Sequence, residues 1–162
     1  MKDTDRRSAI ALGLAATAAP MLAWPRSLAA QTSDMEAVRA ANAALYAAFS
    51  ARDIRAMEAA WARDAGVTAM HPGSRAPVVG WDAVRRSYEE QFSSRFTEVA
   101  ISMSDPRITV HQGAAWVVGT ETVRGRRPNG DAVNLATLAT NILAKQEGRW
   151  LVAHHHASGM PQ

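Results

Sequence analysis

The strongest constraint in this chain is a change of apolar period near residue 97. Upstream, over residues 34 to 62, Met35, Val38, Ala41, Leu45, Phe49, Ile54, Met57 and Trp61 recur at helical spacing among Arg, Glu and Asp, the pattern of helices that bury one face. Asp34 is placed to cap the first helix, and Ala51, Arg52 and Asp53 to break it before a second, shorter one. A brief strand over Val67 to Met70 is stopped by His71, Pro72 and Gly73, and Gly80, Trp81 and Asp82 open a third helix through Phe92 with Val84, Tyr88 and Phe92 on one face. Downstream the period falls to two in Thr97 to Ser104, Arg107 to His111, Ala114 to Arg124, Ala132 to Lys145 and Trp150 to Ser158. Asp105 with Pro106, Gln112 with Gly113, Pro128 with Asn129 and Gly130, and Glu147 with Gly148 divide these runs. Turns that short join antiparallel neighbours. The expectation is an α+β domain: three N-terminal helices wrapped by a bent, mostly antiparallel sheet, with a ligand entering at the open end of the wrap.

Residues 1 to 30 read as an export signal and are set apart from the fold. Arg6 and Arg7 precede a small, mildly apolar run from Ala9 to Ala23, and Ser27, Ala29 and Ala30 follow Pro25. The adjacent arginines before a weak apolar stretch give the signal a twin-arginine character. Pro20 and Pro25 interrupt a run already too weak for a permanent membrane helix. The mature chain, 31 to 162, is then one domain, periplasmic or secreted from a bacterium, with no membrane association after cleavage. With no cysteine anywhere, disulfides and thiolate metal sites are excluded. The leader carries +2 of the chain's net +3, leaving +1 for the mature domain. A nearly neutral domain does not suit nucleic acid. Arg124, Arg126 and Arg127 beside Pro128, Asn129 and Gly130 read as a solvated hairpin tip in preference to an anion site.

The chemistry-bearing residues gather in the last strand. If strict alternation runs from a buried Trp150 through Val152, it carries His154, His156 and Ser158 to the same inner side and leaves His155 outside. As neutral imidazoles, His154 and His156 could orient a ligand or serve as catalytic acid and base. Asn141, Thr140, Ser158, Tyr88 and His71 would add hydrogen bonds, and Trp61, Met70, Trp116 and Val118 would form apolar walls. A metal would need His71, His111 or Glu121 to converge on the two histidines, so a metal-free ligand pocket is the preferred reading, and no cofactor is expected. Glu121, in an otherwise apolar strand, is either a buried base with raised pKa or a residue facing solvent or a dimer partner, and the second reading is favoured. Val117, Val123, Ala136 and Leu138 on the outward strand faces point to a homodimer or larger homo-oligomer. Phosphate-binding glycine loops, nucleophile elbows and nucleotide fingerprints are absent from the sequence.

The order of elements, with Gly80 to Arg85 before the third helix and the ending Glu147, Gly148, Arg149, Trp150, then His154, His156, Ser158 and Gly159, resembles the nuclear transport factor 2-like superfamily. Within it, residues 34 to 161 are most similar to bacterial SnoaL-like proteins of the branch related to the association domain of calcium/calmodulin-dependent protein kinase II. The resemblance implies a cone with an internal cavity. Thr140 and Asn141 stand where the kinase domain tends to carry a pocket arginine, which implies a pocket without strong anion selectivity. The superfamily includes isomerases, cyclases, epoxide hydrolases, dehydratases and noncatalytic oligomerisation modules, so the fold leaves the chemistry open. The Asp and Tyr pattern of the steroid isomerases and the Asp, Arg, Asp relay of the epoxide hydrolases have no match here. The leading expectation is an exported small-molecule-binding protein with its pocket inside the cone. The alternatives are a noncatalytic homo-oligomeric association module and a small isomerase, cyclase or hydratase using histidine acid/base chemistry.

Export yields a direct prediction. Intact-mass analysis of periplasmic protein should find a chain beginning near Ala30 or Gln31, and replacing Arg6 and Arg7 by Lys should block export. Retention of residues 1 to 29 contradicts the cleavage site, and normal export of the double variant contradicts the twin-arginine route.

Overall fold

A computed structural model describes residues 28–160. Its elements are α1 (Leu28–Ala51), α2 (Ile54–Ala60), β1 (Thr68–Met70), β2 (Val78–Val79), α3 (Trp81–Glu90) with a π-helical turn at Gln91–Arg95, then β3 (Glu98–His111), β4 (Ala114–Arg126), β5 (Ala132–Gln146) and β6 (Arg149–Gly159). The expected α+β class is therefore correct. One open six-stranded sheet, ordered β2-β1-β6-β5-β4-β3, packs its concave side on the helices. β3 to β6 are antiparallel neighbours, whereas β1 runs parallel to β6, so the sheet is mixed. Most of the expected export signal lies outside the described residues.

The first helix begins six residues before Asp34, which is not its cap. Asp34 is instead buried, and its Oδ1 accepts hydrogen bonds from Lys145 Nζ at 2.6 Å and Trp150 Nε1 at 3.0 Å. One carboxylate thus fastens α1 to β5 and β6. The expected break at residues 51 to 53 is real: Arg52 takes a left-handed φ of 52°, and Asp53 Oδ1 caps α2 by accepting from the amides of Arg55 and Ala56. Asp105 and Pro106 do not end a strand. They bend β3, whose register with β4 shifts between Ser104 and Arg107, so Ile101 and Met103 before the bend and Ile108 and Val110 after it all reach the core.

A second irregularity decides where the terminal histidines point. Leu143 of β5 faces Val152, but the next residue along, Ile142, faces His154, so Ala153 is an extra residue in β6. This bulge sits where β6 changes its other neighbour: Val152 bridges to Trp61 and accepts from the amide of Ala62, and from His154 onward the partner is β1. The insertion reverses parity. Trp150 and Val152 are buried, then His155 and Ala157, while His154, His156 and Ser158 lie on the outer face. Strict alternation from Trp150 predicted the reverse and fails here because it cannot see a bulge.

Parity also corrects the outward row. Val117 and Val123 point into the core, whereas Ala136 and Leu138 do face outward. Trp116 and Ile142 are paired across β4 and β5, and with Val118 and Leu138 they form an exposed apolar strip.

Candidate functional site

A cavity of about 380 Å³ opens between α1, α3 and the concave face of the sheet. Its walls are apolar: Leu45 and Phe49 from α1, Phe96 and Ile101 leading into β3, Val123 from β4, Val133 and Leu135 from β5. The polar end is built by Tyr46, Glu121 and His155, with Tyr88 and His71 beside them. Each arrives for a local reason. Asn42 and Tyr46 lie one turn apart on the buried stripe of α1, Glu121 faces Thr137 across β4 and β5, and Asn141 faces His155 across β5 and β6.

These groups form one network, whose donors and acceptors fix the His155 tautomer. Asn141 Nδ2 donates to Asn42 Oδ1 at 2.7 Å and to the Tyr46 hydroxyl at 3.0 Å. Its amide hydrogens are then both used, so Asn141 Oδ1 is the acceptor in the 2.7 Å contact with His155 Nδ1. His155 therefore carries its hydrogen on Nδ1 and keeps a bare Nε2, 3.9 Å from Glu121 Oε2. Glu121 in turn accepts from Tyr46 at 3.3 Å and Thr137 at 3.4 Å. A second histidine resolves in the same way. Ser87 Oγ donates to Val84 O, so it accepts from His71 Nε2 at 3.1 Å, which leaves Nδ1 of His71 bare.

Burial pushes every one of these groups toward its neutral form. It lowers His155 to about 3, aided by neighbouring His71, and lowers His71 to about 4, aided by the positive charge of Arg95. It raises Glu121 above the usual carboxylate range against the opposing pull of the Tyr46 and Thr137 hydrogen bonds. Tyr46 and Tyr88 are raised for the same reason and by the nearby Glu121 charge. The 3.9 Å approach of His155 to Glu121 is thus no ion pair: an imidazole nitrogen able to accept a proton stands beside a carboxyl group held toward its neutral form, and both residues line the cavity.

Of the residues expected at the site, the structure brings Asn141, Tyr88 and His71 together with the cavity or its network. The His71 and Tyr88 rings lie 5.2 Å apart, and the His71 and His155 rings 6.1 Å. His154, His156 and Ser158 are on the opposite face, where His154 Nδ1 contacts Thr68 Oγ1 at 2.7 Å and the two imidazoles stand 6.3 Å apart. Thr140 lies beside His156 on that outer face. Trp116 and Val118 are 42% and 41% exposed there and do not line this cavity. Met70, cross-strand from His156, is not part of the cavity either. Trp61 is core, packed against Trp81 and Tyr88, and its Nε1 is a buried side-chain atom without a hydrogen-bond partner. Among the described residues no three His, Asp or Glu side chains converge as metal ligands would.

Sequence reasoning missed His155, Tyr46, Asn42 and Thr137, and weighed Glu121 toward the surface. Polar residues embedded in the apolar stripes of α1 and β4 were the available signal.

Comparisons with known proteins agree with this architecture. A family profile described as a SnoaL-like domain matches residues 38–162. A protein of the NTF2-like family from Streptomyces avermitilis, provisionally named a dehydratase, is 26% identical with a TM-score of 0.73, over 82% of this chain and 99% of its own. A protein from Thiobacillus denitrificans, provisionally named a calcium/calmodulin-dependent protein kinase type II association domain, is 30% identical with a TM-score of 0.62, over 76% and 94%. A Salmonella enterica protein of the nuclear transport factor 2 superfamily shares the fold at 16% identity, with a TM-score of 0.70 over 83% and 93%. Among curated proteins, none matches this sequence significantly.

The pKa shifts predict a stability profile. Folded His71 and His155 stay unprotonated down to about 4 and about 3, while in the unfolded chain they bind protons below 6.5. Their contribution is complete above 6.5 and lost as pH falls; His154, also lowered by burial, acts in the same direction. Glu121 opposes them, since its raised value stabilises the fold below the ordinary carboxyl value of 4.5 and the gain is lost as pH rises. Urea unfolding should show stability falling on acidification, and His155→Gln should flatten that fall by about 1.4 kcal/mol per pH unit between about pH 4 and pH 6. An unchanged slope would contradict a buried, neutral His155.

Proposed function

This chain belongs to the SnoaL-like family of the NTF2-like superfamily, and we propose that it binds a small molecule in this cavity and moves a proton on it, as an isomerase or dehydratase does. One observation carries the reading: the bare Nε2 of buried His155 faces the cavity 3.9 Å from Glu121, with Nδ1 held by Asn141. A base needs a free lone pair, a fixed ring and a way to tolerate the charge it acquires. His155 has each. After Nε2 takes a proton from a ligand carbon, the Nδ1–H stays on Asn141, and the charge of the imidazolium, which burial disfavours, is offset by Glu121 at 3.9 Å where that group is ionised, a form the Tyr46 and Thr137 hydroxyls support. Returning the proton to another carbon completes an isomerisation. Passing it to a departing hydroxyl, which leaves as water, completes a dehydration. The apolar walls keep competing water away and favour an apolar substrate body. The provisional dehydratase name of the Streptomyces relative points the same way.

A second role in self-association is compatible with this one and is favoured by the outer strip of Trp116, Val118, Leu138 and Ile142 and by the association-domain name of the Thiobacillus relative. The N-terminal arginine pair supports a periplasmic setting.

The test is deuterium uptake at the α-carbon of α-tetralone, an enolisable ketone of suitable size, followed by NMR in D2O. Protein should accelerate uptake, His155→Ala should reduce the acceleration by about a hundredfold, and His154→Ala and His156→Ala should leave it within about twofold of the unsubstituted protein. Equal impairment of all three variants, or full activity of His155→Ala, contradicts the assignment.

A further inference from the structure

We infer that the ligand of this cavity is an organic acid: an apolar body ending in a carboxylate, bound by Arg95 and Arg127 with the acid group at the mouth. The inference rests on the cavity being a ligand site and adds the class of molecule it takes.

The two arginines come from separate elements and line the same cavity. Arg95 ends the π-helical turn after α3, and Arg127 follows the last residue of β4. The segments carrying them are fastened together, since both the amide and the hydroxyl of Thr97 donate to Arg126 O, at 2.9 and 3.2 Å. Both arginines line the cavity. The hairpin arginines are exposed, as expected, but differ in their partners: Arg126 reaches Glu98 at 3.2 Å and Gly130 O at 2.8 Å, whereas Arg127 lines the cavity. Neither Arg95 nor Arg127 has a side-chain hydrogen bond or ion pair with any described residue. Other arginines bordering the helices are engaged, Arg85 with Glu58 and Glu89 and Arg52 with the carbonyls of Phe92 and Phe96.

The π-helical turn is a second and separate sign. Such wide turns are uncommon and gather at functional sites, and this one supplies both buried Gln91 and Arg95 to the cavity. Among the described residues the only acidic side chain in the lining is Glu121, which belongs to the polar network with His155. The described lining thus combines two exposed cations without protein partners, one of them close enough to His71 to lower its pKa, with apolar walls and the neutral acid/base groups of the network. A guanidinium matches a carboxylate in shape as well as sign. A molecule held by its acid group at the mouth would present its far end to His155. The absence of an arginine at Thr140 and Asn141 is consistent with this, because the cations enter from the rim.

Isothermal titration with phenylbutyrate and its neutral analogue phenylbutyramide tests the idea. The acid should bind about tenfold more tightly than the amide, the margin should shrink as salt is raised, and it should vanish in the Arg95→Gln, Arg127→Gln double variant, which should lose far more affinity for the acid than for the amide. Equal binding of acid and amide, or a preference for the acid that survives the double substitution, overturns this inference and leaves the ligand site standing. If neither compound binds, the ligand-site reading fails and this inference with it.

Discussion

One inserted residue, Ala153, decides what this cavity contains. On the buried side of β6, Trp150 and Val152 close the core near the Asp34 anchor, and without an insertion the next inward positions would be His154 and His156. The strand has to exchange the Trp61 segment for β1 as its neighbour at this point, and the extra residue absorbs the change. Past it, His155 is inward and directly across from Asn141. The hydrogen bond between them, the bare Nε2 and the proximity to Glu121 all follow from that one register shift.

A polar cluster this deep is sustained because almost every donor is matched. Asn141 connects α1 to β6 through Asn42, Tyr46 and His155, and Tyr46 passes the chain of bonds on to Glu121 and Thr137. An unpaired buried donor or acceptor costs about 1–3 kcal/mol, so matched partners keep the network compatible with folding. The groups left without a partner in and around it, Nε2 of His155, Nδ1 of His71 and the Arg95 and Arg127 cations, belong to residues that line the cavity. The unsatisfied capacity is thus concentrated where a ligand would meet it.

Much of the fold was legible in the sequence. The switch of period near residue 97 separates helices from strands, and the Gly and Pro turns divide the strands correctly apart from the bend at Asp105. The extent of α1 was not legible, because Asp34 has the chemistry of a cap and is used instead as a buried acceptor for Lys145 and Trp150. The site was half legible. Asn141, His71 and Tyr88 stand out as polar or amphipathic residues on core-facing elements, and they do meet. Parity arguments failed at β6 and for Trp116 and Val118, since alternation carries a side-chain assignment only as far as the next bulge. Tyr46 and Thr137 escaped because each looks like an ordinary member of its element until the partner strand is in place.

The central claim is the state of His155, and nitrogen-detected NMR on the histidine side chains reads it most directly. The account predicts a neutral ring protonated at Nδ1, with Nε2 bare, that resists protonation until about pH 3. A ring protonated at Nε2, or one that titrates at the ordinary value near 6.5, would contradict it.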